Sequence, residues 1–214
     1  MKEILKVEHL KKHYIKKNMF GSTSMTVKAV DDVSFFLKKG EVFVLAGESG
    51  SGKSTIAKLI LKSIQSDSGK IFFEDHEIDN KKTNVRKIRM NCQMIHQDPY
   101  DSINPRMKIG EIVSEPLEIH NSGNKNERFK RMIKVLHEVK LEPAEEIIKK
   151  YPHMLSGGQR QRVVLARALA LKPKVIIADE PVSMLDVSIR AEMLELMYEL
   201  QKKYNMSFIY ITHD

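Results

Sequence analysis

The sequence lacks the features of a secreted or membrane-spanning protein. Cys92 is its only cysteine, so no internal disulfide can form. No apolar run approaches the roughly 18 to 20 residues needed to cross a bilayer, and the opening stretch MKEILKVEHLKKHY lacks the apolar core of a signal peptide. We therefore expect no membrane span in the chain, and a reducing, cytoplasmic location.

Positive charge is in excess but is not concentrated in one place. The net charge of +8 could attract an anionic partner such as nucleic acid. The basic residues alternate with acidic ones, as in KNERFKRMIKVLHEVK and EPAEEIIKK, which is typical of solvated helix faces. We therefore expect no nucleic-acid partner.

The hydrophobic content bounds the number of domains. With 42% hydrophobic residues, the chain can build one core or a core with a small subdomain.

Glycine is infrequent but is clustered in the stretch GESGSGKSTIAK. This stretch has the spacing G-x-x-x-x-G-K-[ST], and it lies between the apolar run VFVLA at 42–46 and a helical pattern, as a phosphate-binding loop requires. Its backbone amides and helix N-terminus can hold phosphate oxygens. Lys53 adds a charge for the β and γ phosphates, and the Ser54 hydroxyl can coordinate Mg²⁺. The nucleotide-binding residues predicted here are Gly47, Ser49, Gly50, Ser51, Gly52, Lys53, Ser54 and Thr55.

The order of apolar patterns indicates an α/β core with an insertion. Helical periodicity is predicted after the phosphate loop, with Ile56, Leu59, Ile60 and Ile64 buried, and again over 188–204. The block 98–155 is mainly helical and is introduced by the turn-rich DPYDSINPR. Short strands are predicted at 5–7, 34–37, 42–46, 71–73, 175–178 and 208–212.

Two further segments carry candidate chemistry. Asp179 and Glu180 follow the apolar strand VIIA, at the strand end where open α/β sheets bind ligands. Beside a phosphate loop, Asp179 would hold Mg²⁺ directly or through water, and Glu180 would orient or deprotonate the attacking water. The stretch LSGGQRQRVVLARAL begins a helix at Ser156, and this beginning is either a second anion-binding N-terminus or a tight turn with Ser156 as its N-cap.

The stretch LSGGQ closely resembles the signature of ATP-binding cassette ATPases, and the resemblance runs through essentially the whole chain. GESGSGKST, QDPYDSINPR, YPHMLSGGQRQR and ADEPVSMLDVS are most similar to the ATPase subunits of oligopeptide, dipeptide and nickel importers. The stretch KKNMFGSTSMTVKAVDDVS resembles the second of the two ATPase subunits that such importers carry. His96 and Met184 depart from the pattern, at positions that do not contact phosphate in the family.

The resemblance also implies a fold. We expect a P-loop NTPase core with a mostly parallel sheet, an antiparallel β subdomain and an inserted α-helical subdomain. The whole of 1–214 would be one nucleotide-binding domain, cut after His213. The ATP-binding core with its β subdomain would span about 1–97 and 171–214, and the helical signature subdomain about 98–170.

Further site residues follow from the resemblance alone. Tyr14 would stack on adenine, Gln97 would touch Mg²⁺ and report the nucleotide state to a membrane partner, and His213 would contact the γ phosphate. Asp186 would lie in the loop between subunits. The residues that would serve the ATP of another cassette are Ser156, Gly157, Gly158 and Gln159.

The implied function is an ATP-hydrolysing motor for import of peptides or related small solutes, with ATP and Mg²⁺ as ligands. Its partners would be a second cassette, transmembrane permease subunits and, indirectly, an extracytoplasmic solute-binding protein, so it would lie on the inner face of the membrane. One alternative is a DNA-repair cassette ATPase, but the segment between the phosphate loop and LSGGQ lacks the heptads of a long coiled coil. The other is a regulatory cassette, which we would expect to lack Glu180 or His213.

Overall fold

The computed structural model describes residues 2–17 and 23–213. Residues 18–22, which belong to the stretch that resembles a second ATPase subunit, lie outside the described residues. In chain order, the elements are β1 (Glu3–Lys17), β2 (Thr23–Lys38), β3 (Val42–Ala46), α1 (Lys53–Ile60), β4 (Ser68–Phe73), β5 (His76–Glu77), α2 (Lys82–Asn91), β6 (Cys92–Ile95), α3 (Pro99–Ser102), α4 (Ile109–Ile119), α5 (Lys125–Glu138), α6 (Ala144–Ile147), a 3₁₀ helix (Pro152–Met154), α7 (Gly157–Leu169), β7 (Val175–Asp179), α8 (Val187–Tyr204) and β8 (Ser207–Thr212).

The strands form two sheets. One is antiparallel, with the order β2-β1-β4-β5, and the other is parallel, with the order β3-β8-β7-β6. In the parallel sheet, Ala46 pairs with Thr212, and Ile95 pairs with Ala178. The carboxyl ends of all four parallel strands therefore lie along one edge, where open α/β sheets bind their ligands.

Strand β7 separates the two hydrophobic clusters of the molecule. Ile177 packs into the cluster that joins the antiparallel sheet and α1, whereas Ile176 and Ala178 pack into the cluster formed with the helices. These alternating contacts are those of a strand buried on both faces, which explains its unbroken apolar sequence. Cys92 begins β6 and is also buried. Burial raises the pKa of its thiol far above the ordinary value.

The predicted fold class is confirmed, since a parallel α/β core, an antiparallel sheet and a helical block are all present. The division of the chain into subdomains stays a prediction. None of the helices among the described residues is long and apolar enough to cross a membrane.

Several predicted boundaries are wrong. The strands expected at 5–7 and 34–37 are parts of the much longer β1 and β2. Helix α1 ends at Ile60, so Ile64 packs against the core from beyond the helix. The turn-rich stretch DPYDSINPR contains the short helix α3. The sequence patterns also missed β5, α2 and β6.

Candidate nucleotide-binding site

Four loops leave the parallel sheet at its carboxyl edge. They follow β3, β6, β7 and β8, and they carry the phosphate loop, Gln97, Glu180 and His213 respectively. Because the strands are in parallel register, these segments from distant parts of the sequence lie at the same end of the sheet. The sheet therefore brings together most of the predicted catalytic and phosphate-binding residues.

The phosphate loop needs glycine for two different reasons. Gly50 has φ 80°, and a Cβ there would meet nothing within 4 Å, so only its left-handed backbone favours glycine. Gly52, the N-cap of α1, has φ 93°, and a Cβ would lie 1.9 Å from the carbonyl oxygen of Ala29 in β2. At Gly52 the backbone is thus approached closely by strand β2 of the protein itself, whereas at Gly50 no atom of the described residues occupies the space beside the backbone.

Lys53 lies over this loop. Its Nζ donates to the carbonyl oxygens of Gly47 at 2.6 Å and Glu48 at 2.7 Å, and it lies 3.4 Å from Ser51 Oγ. The first turn of α1 contains no acidic residue, so the positive end of the helix is uncompensated. A lysine ammonium, free helix amides and an open glycine backbone form a cradle that suits a phosphate group.

Glu180 has a strained backbone, with φ 46° in the left-handed region. Such a conformation costs about 1–3 kcal/mol in a non-glycine residue and persists only where its surroundings impose it. Here the Glu180 amide donates to the Ile211 carbonyl at 3.0 Å. The Ser183 amide and hydroxyl donate to the Glu180 carbonyl at 3.2 and 3.0 Å. These bonds fix the direction in which the carboxylate leaves the sheet.

The Glu180 carboxylate joins two of the other predicted residues. Its Oε2 accepts from Gln97 Nε2 at 2.9 Å, and its Oε1 accepts from His213 Nδ1 at 2.7 Å. The carboxylate is 15% exposed and the imidazole 54% exposed. Because an ionised carboxylate can only accept, the shared proton belongs to Nδ1 of His213, and Nε2 is the other ring nitrogen available to a ligand.

The predicted magnesium ligands form an all-oxygen donor set. Ser54 offers a hydroxyl, Asp179 a carboxylate and Gln97 an amide oxygen, which are the donors that Mg²⁺ prefers. Within the described residues, no group of three or more His, Cys, Asp or Glu side chains could hold a metal ion. Mg²⁺ commonly takes several of its ligands from phosphate and water, and a set of three protein oxygens is compatible with that habit.

The signature turn begins α7 with a capping box. Ser156 Oγ accepts from the backbone amide of Gln159 at 3.3 Å, and the side-chain Oε1 of Gln159 accepts from the backbone amide of Ser156 at 3.0 Å. Ser156 is therefore an N-cap. A Cβ on Gly158 would lie 2.8 Å from Ile189 Cγ2, whereas one on Gly157 would lie 3.9 Å from the nearest side chain. Within 2–17 and 23–213, no hydrogen bond connects this turn to the phosphate loop.

Two predicted residues lie apart from the Glu180 cluster. Tyr14 is 45% exposed on β1, opposite Val27, with Lys12 Nζ 5.7 Å from the centre of its ring. Asp186 is the N-cap residue of α8, and its side chain makes no capping bond. The adenine-stacking and inter-subunit roles of these residues stay predictions.

Sequence reasoning missed the residues that hold the loop after Glu180. Arg190 donates from Nε to the Leu185 carbonyl at 2.7 Å and from Nη2 to the Ser183 carbonyl at 3.1 Å. Gln161 donates from Nε2 to the Pro181 carbonyl at 2.5 Å. Position 161 falls on the buried face of α7, so helical periodicity could have identified a polar residue inside the core.

Comparison with known proteins gives a consistent result. A family model described as "ABC transporter" matches residues 30–183. The chain is 44% identical over 215 residues to the oligopeptide transport ATP-binding protein OppF of Bacillus subtilis, covering 99% of this chain and 68% of the relative. It is 43% identical over 213 residues to the dipeptide transport ATP-binding protein DppF of Escherichia coli, covering 99% and 63%.

Solved structures agree with this similarity. The cbiO1 protein of Clostridium perfringens, part of the ABC transporter complex cbiONQ, matches with a TM-score of 0.82 and 30% identity, over 100% of this chain and 80% of that one. The ATP-binding cassette MJ0796, a dimer bound to ADP and Pi in a post-hydrolysis state, matches with a TM-score of 0.83 and 30% identity, over 99% and 88%. The family match, the relatives and the site geometry lead to one conclusion: this chain belongs to the ABC transporter family.

Proposed function

We propose that this chain binds and hydrolyses ATP and so powers the import of peptides or related small solutes through a membrane transporter. The observation that carries the proposal is the Glu180 carboxylate, held between Gln97 and His213 at the sheet edge where the phosphate loop begins. The transport ATP-binding proteins among its relatives support the substrate class. A purely regulatory cassette would have no need of this paired carboxylate and imidazole.

ATP binding would begin at the phosphate loop. The Lys53 ammonium exchanges the carbonyls of Gly47 and Glu48 for the β and γ phosphates, while the amides from Ser49 to Ser54 donate to the phosphate oxygens. Tyr14 stacks on the adenine ring. Ser54, Gln97 and Asp179 would hold Mg²⁺, which when bound neutralises charge on the β and γ phosphates.

Hydrolysis would depend on how one oxygen of Glu180 is shared. In the structure each carboxylate oxygen already accepts one hydrogen bond, so an attacking water would share Oε1 with Nδ1 of His213. A bound γ phosphate competes for His213 and frees Oε1, while Gln97 keeps the carboxylate oriented through Oε2. Glu180 then takes a proton from water as the water oxygen bonds to the γ phosphorus. The bond from that phosphorus to the bridging oxygen breaks, and ADP and phosphate leave.

The second half of each site would come from another cassette. Ser156, Gly157, Gly158 and Gln159 present a helix N-terminus with no acidic residue in its first turn, and so suit a γ phosphate held by a partner chain. The dimeric state of the solved MJ0796 cassette supports this arrangement. ATP favours the closed pair of cassettes, and closure moves the permease subunits at the inner membrane face. Asp186 lies at the junction between the two chains.

The test compares two isosteric changes of the same residue type in the complete protein. Glu180→Gln should lower the ATP hydrolysis rate by roughly 10²–10⁴, the usual contribution of a general base, and leave ATP binding intact. Glu195→Gln, at an exposed position of α8, is the matched control and should retain the parent rate. Phosphate release and equilibrium ATP binding are measured for both variants. Hydrolysis by Glu180→Gln at the parent rate would remove Glu180 from the mechanism.

A further inference from the structure

Gln161 is a polar residue in the interior of the signature helix α7. The residue is 1% exposed, and it lies one turn after Gly158. The amide nitrogen donates to the carbonyl of Pro181, and the amide oxygen has no partner among the described residues. An unpaired buried polar atom is unfavourable, so packing alone does not account for glutamine at this position.

The carbonyl that Gln161 binds is next to the proposed catalytic carboxylate. Pro181 is buried and directly follows Glu180, whose own backbone is held in the left-handed region. The loop from Pro181 to Asp186 is therefore bonded to α7 at its first residue, where the Pro181 carbonyl accepts from Gln161. At its other end, Arg190 of α8 binds the carbonyls of Ser183 and Leu185.

The first turn of α7 packs directly on the same loop and on the start of α8. Gly158 lies against Ile189 so closely that a Cβ would be 2.8 Å from Ile189 Cγ2. Leu185 is the side chain nearest to Gly157. The signature turn, Gln161 and the loop after Glu180 are therefore in continuous contact, and packed interiors of this kind transmit a displacement from one end to the other.

We infer that Gln161 is a positioning residue for Glu180, and that through it the signature turn of a chain sets the direction of that chain's own carboxylate. The inference rests on the proposed function. In a pair of cassettes, the signature turn serves one nucleotide and Glu180 serves the other. Gln161 would thus connect the two ATP sites within each chain.

Gln201 offers a matched control in the same chain. It is also buried, at 5% exposure, and it also donates from Nε2 to a backbone carbonyl, that of Gly40 at 2.7 Å. Its amide oxygen also has no partner among the described residues. Gly40 belongs to the turn between β2 and β3, away from the loop after Glu180. Gln161→Met and Gln201→Met therefore each remove one hydrogen bond of the same kind, from a side-chain amide to a backbone carbonyl, at two separate places in the fold.

The experiment measures both variants of the complete protein by ATPase kinetics and thermal unfolding. We expect similar losses of thermal stability. Only Gln161→Met should lower kcat, by roughly 10- to 100-fold, since small misplacements of a catalytic group have effects of this size. The KM for ATP should stay within about twofold of the parent value in both variants, because the phosphate loop is untouched. Equal kcat values for the two variants would overturn the inference.

A second readout does not depend on catalysis. The amides of Ser183 and Leu185 are bonded to the carbonyls of Glu180 and Val182, and their hydrogen exchange should accelerate in Gln161→Met but not in Gln201→Met. If Gln161→Met does not fold, the shorter Gln161→Asn is measured in the same way. If the parent protein hydrolyses no ATP, the proposed function fails. Independently of that result, unchanged hydrogen exchange at the amides of Ser183 and Leu185 in Gln161→Met would overturn the positioning role.

Discussion

Lys53 is held by its own loop in the structure, so under the proposed function ATP would have to replace existing hydrogen bonds. The ammonium would leave the carbonyls of Gly47 and Glu48 for phosphate oxygens, which accept from a cation more strongly than neutral carbonyls do. The lysine would then add less to the binding free energy than its charge alone suggests, and more to the preference for a highly charged ligand.

Replacing Lys53 tests whether its ammonium binds the phosphates of ATP. Lys53→Ala should weaken ATP binding by roughly 10- to 100-fold, because one charge-assisted hydrogen bond to phosphate is worth about 1.5–3 kcal/mol. Lys58→Ala changes an exposed lysine of the same helix and should leave the affinity unchanged. Titration with labelled ATP measures both. Equal affinities for the two variants would exclude Lys53 from the phosphate site.

At the scale of elements, the signature glycines have separable roles. Gly158→Ala should destabilise the protein by about 1–3 kcal/mol, because the new methyl group meets Ile189 across a packed contact. Gly157→Ala places its methyl group at ordinary van der Waals distance from Leu185 Cδ2, 3.9 Å away, and should leave stability unchanged or raise it by up to about 1 kcal/mol. Any loss of ATPase activity in Gly157→Ala therefore belongs to the composite site and not to folding.

Ile189→Ala provides the matching double-mutant cycle, measured by denaturant unfolding. If the contact is the cause, Gly158→Ala should cost less in the Ile189→Ala background than in the parent, since the clashing methyl is gone. Additive costs would show that Gly158 is needed for another reason.

The antiparallel sheet shows why part of the fold could not be predicted from the sequence. Strands β1 and β2 pair along most of their length, but their register shifts at several points, including those between Val7 and Leu10 and between Leu10 and Lys12. At such shifts the alternation of faces is interrupted, so a period-2 pattern is visible only in fragments. His9, with φ 48°, lies within one of these interruptions. The predictions at 5–7 and 34–37 found such fragments and missed the long hairpin.

Candidate site residues could be named from the sequence where short motifs contain them. The phosphate-loop spacing and the acids after VIIA made Lys53 and Glu180 candidates, and the family resemblance added Gln97 and His213, which the structure places against Glu180. Their roles stay predictions. The bonds that organise these residues were not predictable, because Gln161 is 20 positions from the carbonyl it binds. Contacts between distant segments depend on the packing of α7 against the loop after β7, and local sequence patterns do not encode that packing.

At the scale of the whole molecule, the proposed site is divided between two chains, which predicts a dependence on concentration. Specific ATPase activity should rise as protein concentration rises through the range in which sedimentation shows pairs forming, because Ser156 and its neighbours must come from a second cassette. A hundredfold dilution series, with sedimentation at each step, measures this. Full activity in a monomer at every dilution would contradict the composite site.

The burial of Cys92 makes a second prediction for the whole fold. A thiol reacts as its thiolate, and burial both raises the pKa of this group and blocks access to it. Maleimide labelling followed by mass spectrometry should be slow in native buffer and should accelerate with denaturant in step with unfolding. Rapid labelling of the native protein would show that β6 opens locally, well below the energy of global unfolding.

A shielded native thiol has a practical consequence for testing the proposed transport cycle. Probes could be attached to a single introduced cysteine, for example Ser188→Cys on the exposed start of α8, without first removing Cys92. Spin labels at that position in the two chains of a pair would report their separation in ångströms, with and without ATP. Opening and closing of the proposed pair of cassettes would then appear as a change in the distance distribution, in a polypeptide altered at one position only.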